Sequence, residues 1–237
     1  MSSPLQIALV AEGPTDGVVI ETTLRSMLRE RSFVLRQIFP EGSASFGELG
    51  TGWVGVYRWC HQSAGRGGGR LQNDTLIFQT YDLLILHLDA DVAASEYQDG
   101  AIQPNASDGV LPCELDCPPA SDTTNALRAV LISWCGETTL SERTVICIPS
   151  KNTEAWVVAA LFSTDRAMAD GIECYPNPES RLAQQPVSRR IRKRKRDYEE
   201  RAKEMEAAWP RLVSPNGLNE ARRFQADFLD AVPADIV

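Results

Sequence analysis

The chain has 237 residues, which suits one domain or one domain with a small appendage and excludes a large multidomain machine. Hydrophobic residues make up 43% of it and charged residues 24%, so we expect a buried core rather than a disordered chain. The net charge of −8 argues against a passive nucleic-acid coat. Seven of the 24 basic residues lie in positions 189–196. The rest of the chain has 17 basic and 32 acidic residues, which is a net charge of −15. The sequence therefore predicts an acidic body with one basic segment.

The composition also favours a cytoplasmic protein that does not enter a membrane. The longest apolar runs are far shorter than the roughly 18 residues that span a bilayer. The first residues, Met1-Ser2-Ser3-Pro4, lack the basic and apolar regions of a secretory signal. In a reducing compartment, cysteines act as small hydrophobes more often than as disulfides. We expect that role for the six cysteines, which are Cys60, Cys113, Cys117, Cys135, Cys147 and Cys174.

The first part of the chain predicts two strands with a helix between them. Residues 5–10 are an apolar run that ends at a tight turn, which is typical of a buried strand. Thr15 or Asp16 can cap the helix that follows, because both residue types favour the N-cap position. A second strand is predicted over residues 33–39. Residues 42–70 are rich in Gly and Ser, so we expect an irregular or partly mobile loop with at most one short helix, at about residues 53–60.

The second part of the chain predicts two more strands and further helices. Residues 81–88 form the clearest buried strand, and it ends in Asp89-Ala90-Asp91. A helix capped by Ser121 or Asp122 precedes a strand over residues 144–148. The remaining predicted helices lie at about residues 153–162, 190–208 and 218–231.

This alternation of strands and helices predicts the fold class. Strands that alternate with helices form a parallel, wound α/β sheet flanked by helices. The chain turns strongly polar after residue 175. We therefore predict a catalytic α/β domain over residues 1–175 and a helical C-terminal extension, with the basic segment, over residues 176–237.

Three predicted strands end in conspicuous polar residues. In an open parallel sheet, sites form beyond the carboxyl ends of the strands. Several carboxylates in one crevice repel one another unless a cation neutralises them. Oxygen ligands suit Mg²⁺ or Mn²⁺ rather than Zn²⁺. We therefore predict a divalent metal site formed by the polar residues that follow the strands, which are Glu12, Asp16, Asp89, Asp91, Lys151, Asn152 and Glu154.

Two motifs give the sequence a family resemblance. Glu12-Gly13-Pro14-Thr15-Asp16 after the first strand, followed by Asp89-Ala90-Asp91 after a hydrophobic strand, resembles the Toprim domain of topoisomerases, bacterial primases, recombination proteins and overcoming-lysogenization-defect (OLD) nucleases. The later segment 149–156 is similar to the third block of small OLD-like and RloB-like bacterial proteins, several of which act in defence against phage. The resemblance covers about residues 5–165. At this length a topoisomerase, which needs a further large domain, is excluded.

The resemblance implies a role for each polar residue. Glu12 would be the metal-linked general acid or base, and Asp89 and Asp91 would be the principal ligands of Mg²⁺ or Mn²⁺. Asp16 and Glu154 would support a second metal ion. Lys151 would stabilise charge in the transition state. The fold implied is the compact parallel sheet of Toprim proteins.

Each of these residues also has a purely structural interpretation. Asp16 can simply cap its helix, Glu154 can complement a helix dipole, and Lys151 can be a solvated loop residue. By strand alternation, Asp89 and Asp91 should lie on one side of the strand. We interpret His87 as a hydrogen-bonded core histidine. Cys113 and Cys117 lack a second pair of ligands and do not predict zinc.

The basic segment has two interpretations. It can be the solvated face of a helix with i to i+4 ion pairs to glutamates, or it can contact phosphates or an acidic partner. On the second interpretation it is the nucleic-acid-binding surface. Its residues are Arg189, Arg190, Arg192, Lys193, Arg194, Lys195 and Arg196.

Three functional hypotheses follow. The leading one is a metal-dependent nuclease, more an endonuclease than an exonuclease, that acts on DNA or RNA as an effector of anti-phage defence. The second is a Toprim-like subunit that a separate partner ATPase keeps inactive, because OLD-like nucleases carry an ATPase that this chain lacks. The third is a metal-binding structural protein. A two-fold homodimer is the default assembly.

Overall fold

The computed structural model of the protein describes residues 3–40 and 49–233. Within them, strands in the order β2-β1-β3-β4 form an all-parallel sheet. This sheet, with helices on both faces, confirms the predicted α/β fold class. The strands are β1 (Leu5–Val10), β2 (Phe33–Phe39), β3 (Leu83–His87) and β4 (Thr144–Cys147).

The central strands are apolar because both of their faces are covered. Alternate residues of β1 and β3 point to opposite sides of the sheet, so continuous apolar runs fill two cores. Ile7 and Ile85 belong to one core, and Ala8 and Leu86 belong to the other. The edge strand β2 pairs only with β1, and its residues are mostly half-buried or exposed.

The described helices divide between the two faces. Helices α1, α5, α8 and α9 contribute to the core with Ile7, whereas α2 and α4 contribute to the core with Ala8. Short 3-10 turns lie at Leu71–Asn73, Ala90–Ala94, Tyr97–Gly100 and Ile172–Cys174. The α-helices are α1 (Pro14–Met27), α2 (Gly52–Arg66), α3 (Thr75–Phe78), α4 (Ala120–Trp134), α5 (Glu154–Leu161), α6 (Arg166–Ala169), α7 (Pro178–Ala183), α8 (Lys195–Leu212) and α9 (Asn219–Ala231).

The C-terminal helices share the core of the sheet. Helix α8 packs against α1 and α5, and α9 packs against β4. The Trp156 ring of α5 contacts Trp209 of α8 at 5.3 Å between ring centres and Phe224 of α9 at 5.9 Å. The boundary predicted near residue 175 therefore does not separate two hydrophobic cores.

The Gly-rich region differs from its prediction. Residues 52–66 form α2, a helix of 15 residues, so the expected loop with at most one short helix is wrong there. Val56, Trp59, Cys60 and Ser63 are all buried and recur at helical spacing, and the glycines that suggested a loop cluster at the end of the helix. Residues 41–48 of the predicted loop lie outside the described part of the chain.

Cys117 and Cys174 form a disulfide, so the expectation that all six cysteines act as small hydrophobes is wrong for this pair. The two residues are 57 positions apart in sequence, but the fold brings their Cα atoms to 5.5 Å. The bond joins the segment before α4 to the turn before α7. No helix in the described ranges is both long and apolar enough to cross a bilayer.

Two neighbouring residues of α9 test how far the sheet depends on the C-terminal helices. Phe228 is fully buried, whereas Leu229 is 46% exposed. Removing a buried phenylalanine leaves a cavity, so we expect Phe228→Ala to lower the free energy of unfolding by about 3–5 kcal/mol. Leu229→Ala should stay within about 0.5 kcal/mol of the original protein. Urea unfolding followed by circular dichroism measures both, and equal effects would contradict a core shared with α9.

Candidate metal centre

The candidate centre lies where β1 and β3 end, at the carboxyl edge of the sheet. Glu12 follows β1 and Asp89 follows β3, so adjacent parallel strands place the two side by side. The Glu12 carboxylate accepts a hydrogen bond from the Asp89 backbone N–H at 2.7 Å. The two acidic strand ends are therefore in direct contact, as the sequence predicted.

Asp16 joins this centre from the first turn of α1. The N-cap of α1 is Gly13, so the prediction of Thr15 or Asp16 at that position is wrong. Asp16 Oδ2 accepts the Gly13 N–H at 2.9 Å, and Asp16 Oδ1 accepts the Thr153 hydroxyl at 2.9 Å. Only 2% of Asp16 is exposed. Its carboxylate thus accepts one hydrogen bond from the N-terminus of α1 and another from the segment 149–156.

Asp16, His87 and Asp89 form a group that could hold a metal ion. One ligand atom from each lies within 4.8 Å of the other two. Asp89 Oδ1 accepts the Thr153 N–H at 3.3 Å and lies 3.3 Å from His87 Nε2. His87 is completely buried, as expected, but neither ring nitrogen makes a hydrogen bond of good geometry within the described structure. His87 is therefore buried, as predicted, but the prediction that it is hydrogen-bonded within the core is wrong. Its ring lies beside the carboxylates of Asp16 and Asp89.

Burial, with the charges of neighbouring carboxylates second, dominates the electrostatics of this group. Burial, followed by the charge of Asp89, raises the pKa of Glu12 well above its ordinary range. Burial and then Asp16 raise the pKa of Asp89 to about 7. Burial alone would lower the pKa of His87, but the neighbouring carboxylates raise it to about 9. Each shift favours the protonation state with less net negative charge, which is the response of a site that lacks positive charge.

Asp91 lies apart from the group of Asp16, His87 and Asp89. Strand β3 ends at His87, and Asp91 sits in the 3-10 turn Ala90–Ala94, where its side chain is exposed. Its backbone N–H donates to the Lys151 carbonyl at 2.9 Å. The expectation that Asp89 and Asp91 project from one side of a strand is wrong because the chain leaves the strand before either residue.

Glu154 begins α5, as predicted, and is completely buried. Its Oε1 accepts the Tyr198 hydroxyl at 2.6 Å and lies 3.8 Å from Lys193 Nζ. Burial raises the pKa of Glu154, although Lys193 and Tyr198 oppose that shift. Glu154 Oε2 and Asn152 Oδ1 are buried without a hydrogen-bond partner in the described structure. Such orphaned oxygens are unfavourable unless a further group binds them.

Lys151 is on the rim of the centre. Its ammonium contacts Glu114 Oε1 at 2.6 Å, and its backbone has a left-handed conformation with φ of 66°. Its predicted role in the transition state stays a prediction, since this ion pair holds the ammonium against a loop carboxylate.

The basic segment is only partly helical, because α8 begins at Lys195 and residues 189–194 before it are mostly irregular. The predicted i to i+4 pairs therefore occur only for Lys195 with Glu199 and Arg196 with Glu200. The exposed side chains of Arg192 and Arg194 have no ion pair or hydrogen bond to another described residue. The other three contact their surroundings: Arg189 lies over the Phe162 ring, Arg190 donates to the Gln185 carbonyl, and Lys193 pairs with Glu154 and Glu179.

Two residues of the centre, His87 and Lys193, were not assigned to it by the sequence. His87 is the last residue of β3 and precedes Asp89 by two positions, so its place at the strand end beside a predicted ligand was a signal that could have assigned it to the centre. Lys193 is 39 positions from Glu154 and carries no local signal of that contact.

Comparison of the chain with protein-family models, with curated proteins and with solved structures found no match. The fold and the site define an α/β protein with a candidate metal centre at the carboxyl edge of a parallel sheet. The Toprim resemblance rests on its motifs, and the metal centre rests on its own geometry.

Metal dependence of stability provides a direct test of this centre. In buffer with EDTA, we expect Asp89→Asn to unfold at the same temperature as the original protein or higher, because one crowded charge is removed. Mn²⁺ at about 100 times its dissociation constant should stabilise the original protein by about 2.7 kcal/mol. The variant should lose that gain. Thermal unfolding measures both effects.

The control for this test is Asp230→Asn, at an exposed position near the end of α9. It should respond to Mn²⁺ as the original protein does. An equal Mn²⁺ response of Asp89→Asn would contradict the assignment of Asp89 as a ligand.

Proposed function

We propose that the protein is a metal-dependent nuclease that hydrolyses phosphodiester bonds in DNA or RNA with Mg²⁺ or Mn²⁺. The observation that carries the proposal is the convergence of Glu12, Asp16 and Asp89 in one hydrogen-bonded centre, in which Asp16 and Asp89 are buried. Carboxylates from separate elements, whose burial and mutual repulsion raise the pKa of two of them, are best explained by a cation that binds between them.

The donor set fits a divalent metal ion. Asp16 and Asp89 offer carboxylate oxygens, and His87 offers an imidazole nitrogen. Two carboxylates suit Mg²⁺ and Mn²⁺, and an imidazole ligand suits transition-metal ions better than Mg²⁺, so of these two ions we propose Mn²⁺ first. When bound, such an ion can lower the pKa of a water and stabilise negative charge on a phosphate.

The residues around the donor set support hydrolysis. Glu12 is half-buried, and burial and the charge of Asp89 raise its pKa, which favours its protonated form and suits a group that handles a proton. Thr153 orients both Asp16 and Asp89 through its hydroxyl and its N–H. In this proposal Asp16 and Asp89 hold the ion, Glu12 handles the proton, and Lys151 and Asp91 lie at the rim where the substrate approaches.

The biological setting of the proposal comes from the family resemblance. We propose a cytoplasmic effector of anti-phage defence, and an alternative in which a partner ATPase keeps the chain inactive until infection. In a reducing cytoplasm Cys117 and Cys174 would be reduced. Cleavage that appears only when a co-purified ATPase is released would favour the alternative, whereas robust cleavage by the chain alone would favour the effector.

Cleavage of plasmid DNA, single-stranded DNA and total tRNA tests the activity itself. With Mn²⁺ we expect Asp16→Asn and Asp89→Asn to reduce cleavage by about 100-fold or more, equivalent to about 2.7 kcal/mol or more of transition-state stabilisation. EDTA should abolish cleavage, and Asp230→Asn should retain it. Cleavage that survives both EDTA and Asp89→Asn would show that this centre is not responsible.

The exposed arginines of the basic segment make a separate prediction about substrate binding. Arg192 and Arg194 have no partner elsewhere in the described structure, so a polyanion can pair with both. We expect Arg192→Ala with Arg194→Ala to weaken binding to duplex DNA or to RNA. The slope of log K against log salt should fall by about 0.7–0.9 for each lost phosphate contact.

The matched control for the two arginines is Lys203→Ala, which removes an exposed charge from the middle of α8. Fluorescence anisotropy at several salt concentrations gives each slope. A double arginine variant with the slope of the original protein would show that nucleic acid does not dock on this segment.

A further inference from the structure

We propose that Lys193 takes the place of a second metal ion, so that this centre binds one divalent ion and one ammonium group. The inference rests on the proposed metal centre and replaces the second-metal role predicted for Glu154. It makes the C-terminal segment a component of the centre rather than a docking surface alone.

The carboxylates of the centre differ in their cationic partners. Glu154 Oε1 lies 3.8 Å from Lys193 Nζ. In the described structure, neither Asp16 nor Asp89 has a Lys or Arg partner within 4.0 Å, and Asp89 meets only the imidazole of His87. The lysine ammonium therefore pairs directly with one side of the centre, whereas among the described residues Asp16 and Asp89 have beside them only the imidazole of His87, which is itself a possible metal ligand.

Glu154 is also poorly placed to be a strong metal ligand. Its Oε1 already accepts the Tyr198 hydroxyl at 2.6 Å, and the same oxygen faces the ammonium. A divalent ion at that oxygen would be repelled by the ammonium a few ångströms away. The orphaned Glu154 Oε2 and Asn152 Oδ1 become attractive to a second ion only when the ammonium is removed.

The chain holds Lys193 in this position through the residues around it. Ile191 is 3% exposed, and its N–H donates to the Leu182 carbonyl at 3.3 Å. The Arg192 N–H donates to Asp197 Oδ2 at 2.9 Å, which ties the segment to the first turn of α8. Lys193 Nζ also lies 3.5 Å from Glu179 Oε2. These contacts fix the backbone on both sides of the lysine.

The three buried carboxylates of the centre each have a cationic partner in this arrangement. Asp16 and Asp89 together match one divalent ion, and Glu154 matches the ammonium. Burial lowers the pKa of Lys193, but Glu154, Asp89 and Glu179 raise it overall, so the group is charged at neutral pH. The Lys193 side chain is 44% exposed, and a substrate phosphate could therefore contact it from solvent.

The number of bound Mn²⁺ ions tests the inference without any activity assay. Equilibrium dialysis of the full chain at saturating Mn²⁺ should give one ion for the original protein and for Lys193→Arg, which keeps the charge. Lys193→Met should bind two, because it removes the ammonium while keeping a chain of similar length. Lys195→Met, a neighbouring exposed lysine paired with Glu199, should still bind one.

Each other result counts against the inference. Two ions in the original protein, or one ion in a folded Lys193→Met variant, would overturn it and leave the nuclease proposal standing. No ion in the original protein would overturn the metal centre itself and the inference with it.

A second variant covers the case in which Lys193→Met does not fold. Glu154→Gln combined with Lys193→Met removes both charges of the pair and keeps an oxygen for the Tyr198 hydroxyl, so the double variant should still bind one Mn²⁺ at saturation. Loss of that ion from the folded double variant would show that Glu154 is a metal ligand and would overturn the proposed role of Lys193.

Discussion

One constraint dominates the carboxyl edge of the sheet: burying several carboxylates close together is unfavourable in free energy. Parallel strands end at the same edge, so β1 and β3 bring Glu12 and Asp89 together whatever their charges. Backbone and side-chain donors offset part of the cost, because Gly13, Asp89 and Thr153 each donate to a carboxylate. Those donors fix the geometry but supply no full positive charge. Burial and the mutual repulsion of the carboxylates raise the pKa values of Glu12 and Asp89, and a bound cation would oppose that shift.

The C-terminal helices position polar groups of the centre, so the electrostatics of the centre depend on the packing of the whole chain. Helix α8 packs against α1 and α5, which are the elements that carry Asp16 and Glu154. The first turn of α8 presents Tyr198 to Glu154, and the segment before it presents Lys193. The apolar contacts of Trp156 and Trp209 hold α5 against α8 and so set the distances among these polar groups. A change in that packing would alter the site without touching a charged residue.

Local sequence patterns predicted the strands and the convergence of Glu12, Asp16 and Asp89, because these features depend on short apolar runs and the rules of parallel sheets. They failed where the decisive contact is distant. The Lys193 to Glu154 pair and the disulfide of Cys117 and Cys174 join residues far apart in the chain. Helix α2 was predicted too short for another reason: glycines near its end outweighed the helical spacing of its buried residues. Asp91 was misplaced because strand alternation was extended past the end of the strand.

The exposure of the residues around the centre separates the nuclease hypothesis from that of a purely structural metal site. Structural metal sites are closed by their protein ligands, whereas catalytic sites keep an accessible position. Here Asp16, His87 and Asp89 are buried, but Glu12 is half-buried and Asp91 is exposed. The groups suited to hold an ion are thus shielded, and those suited to meet a proton or a substrate face solvent. This difference in exposure is compatible with the proposed nuclease, in which the ion is held by buried groups and the substrate meets exposed ones.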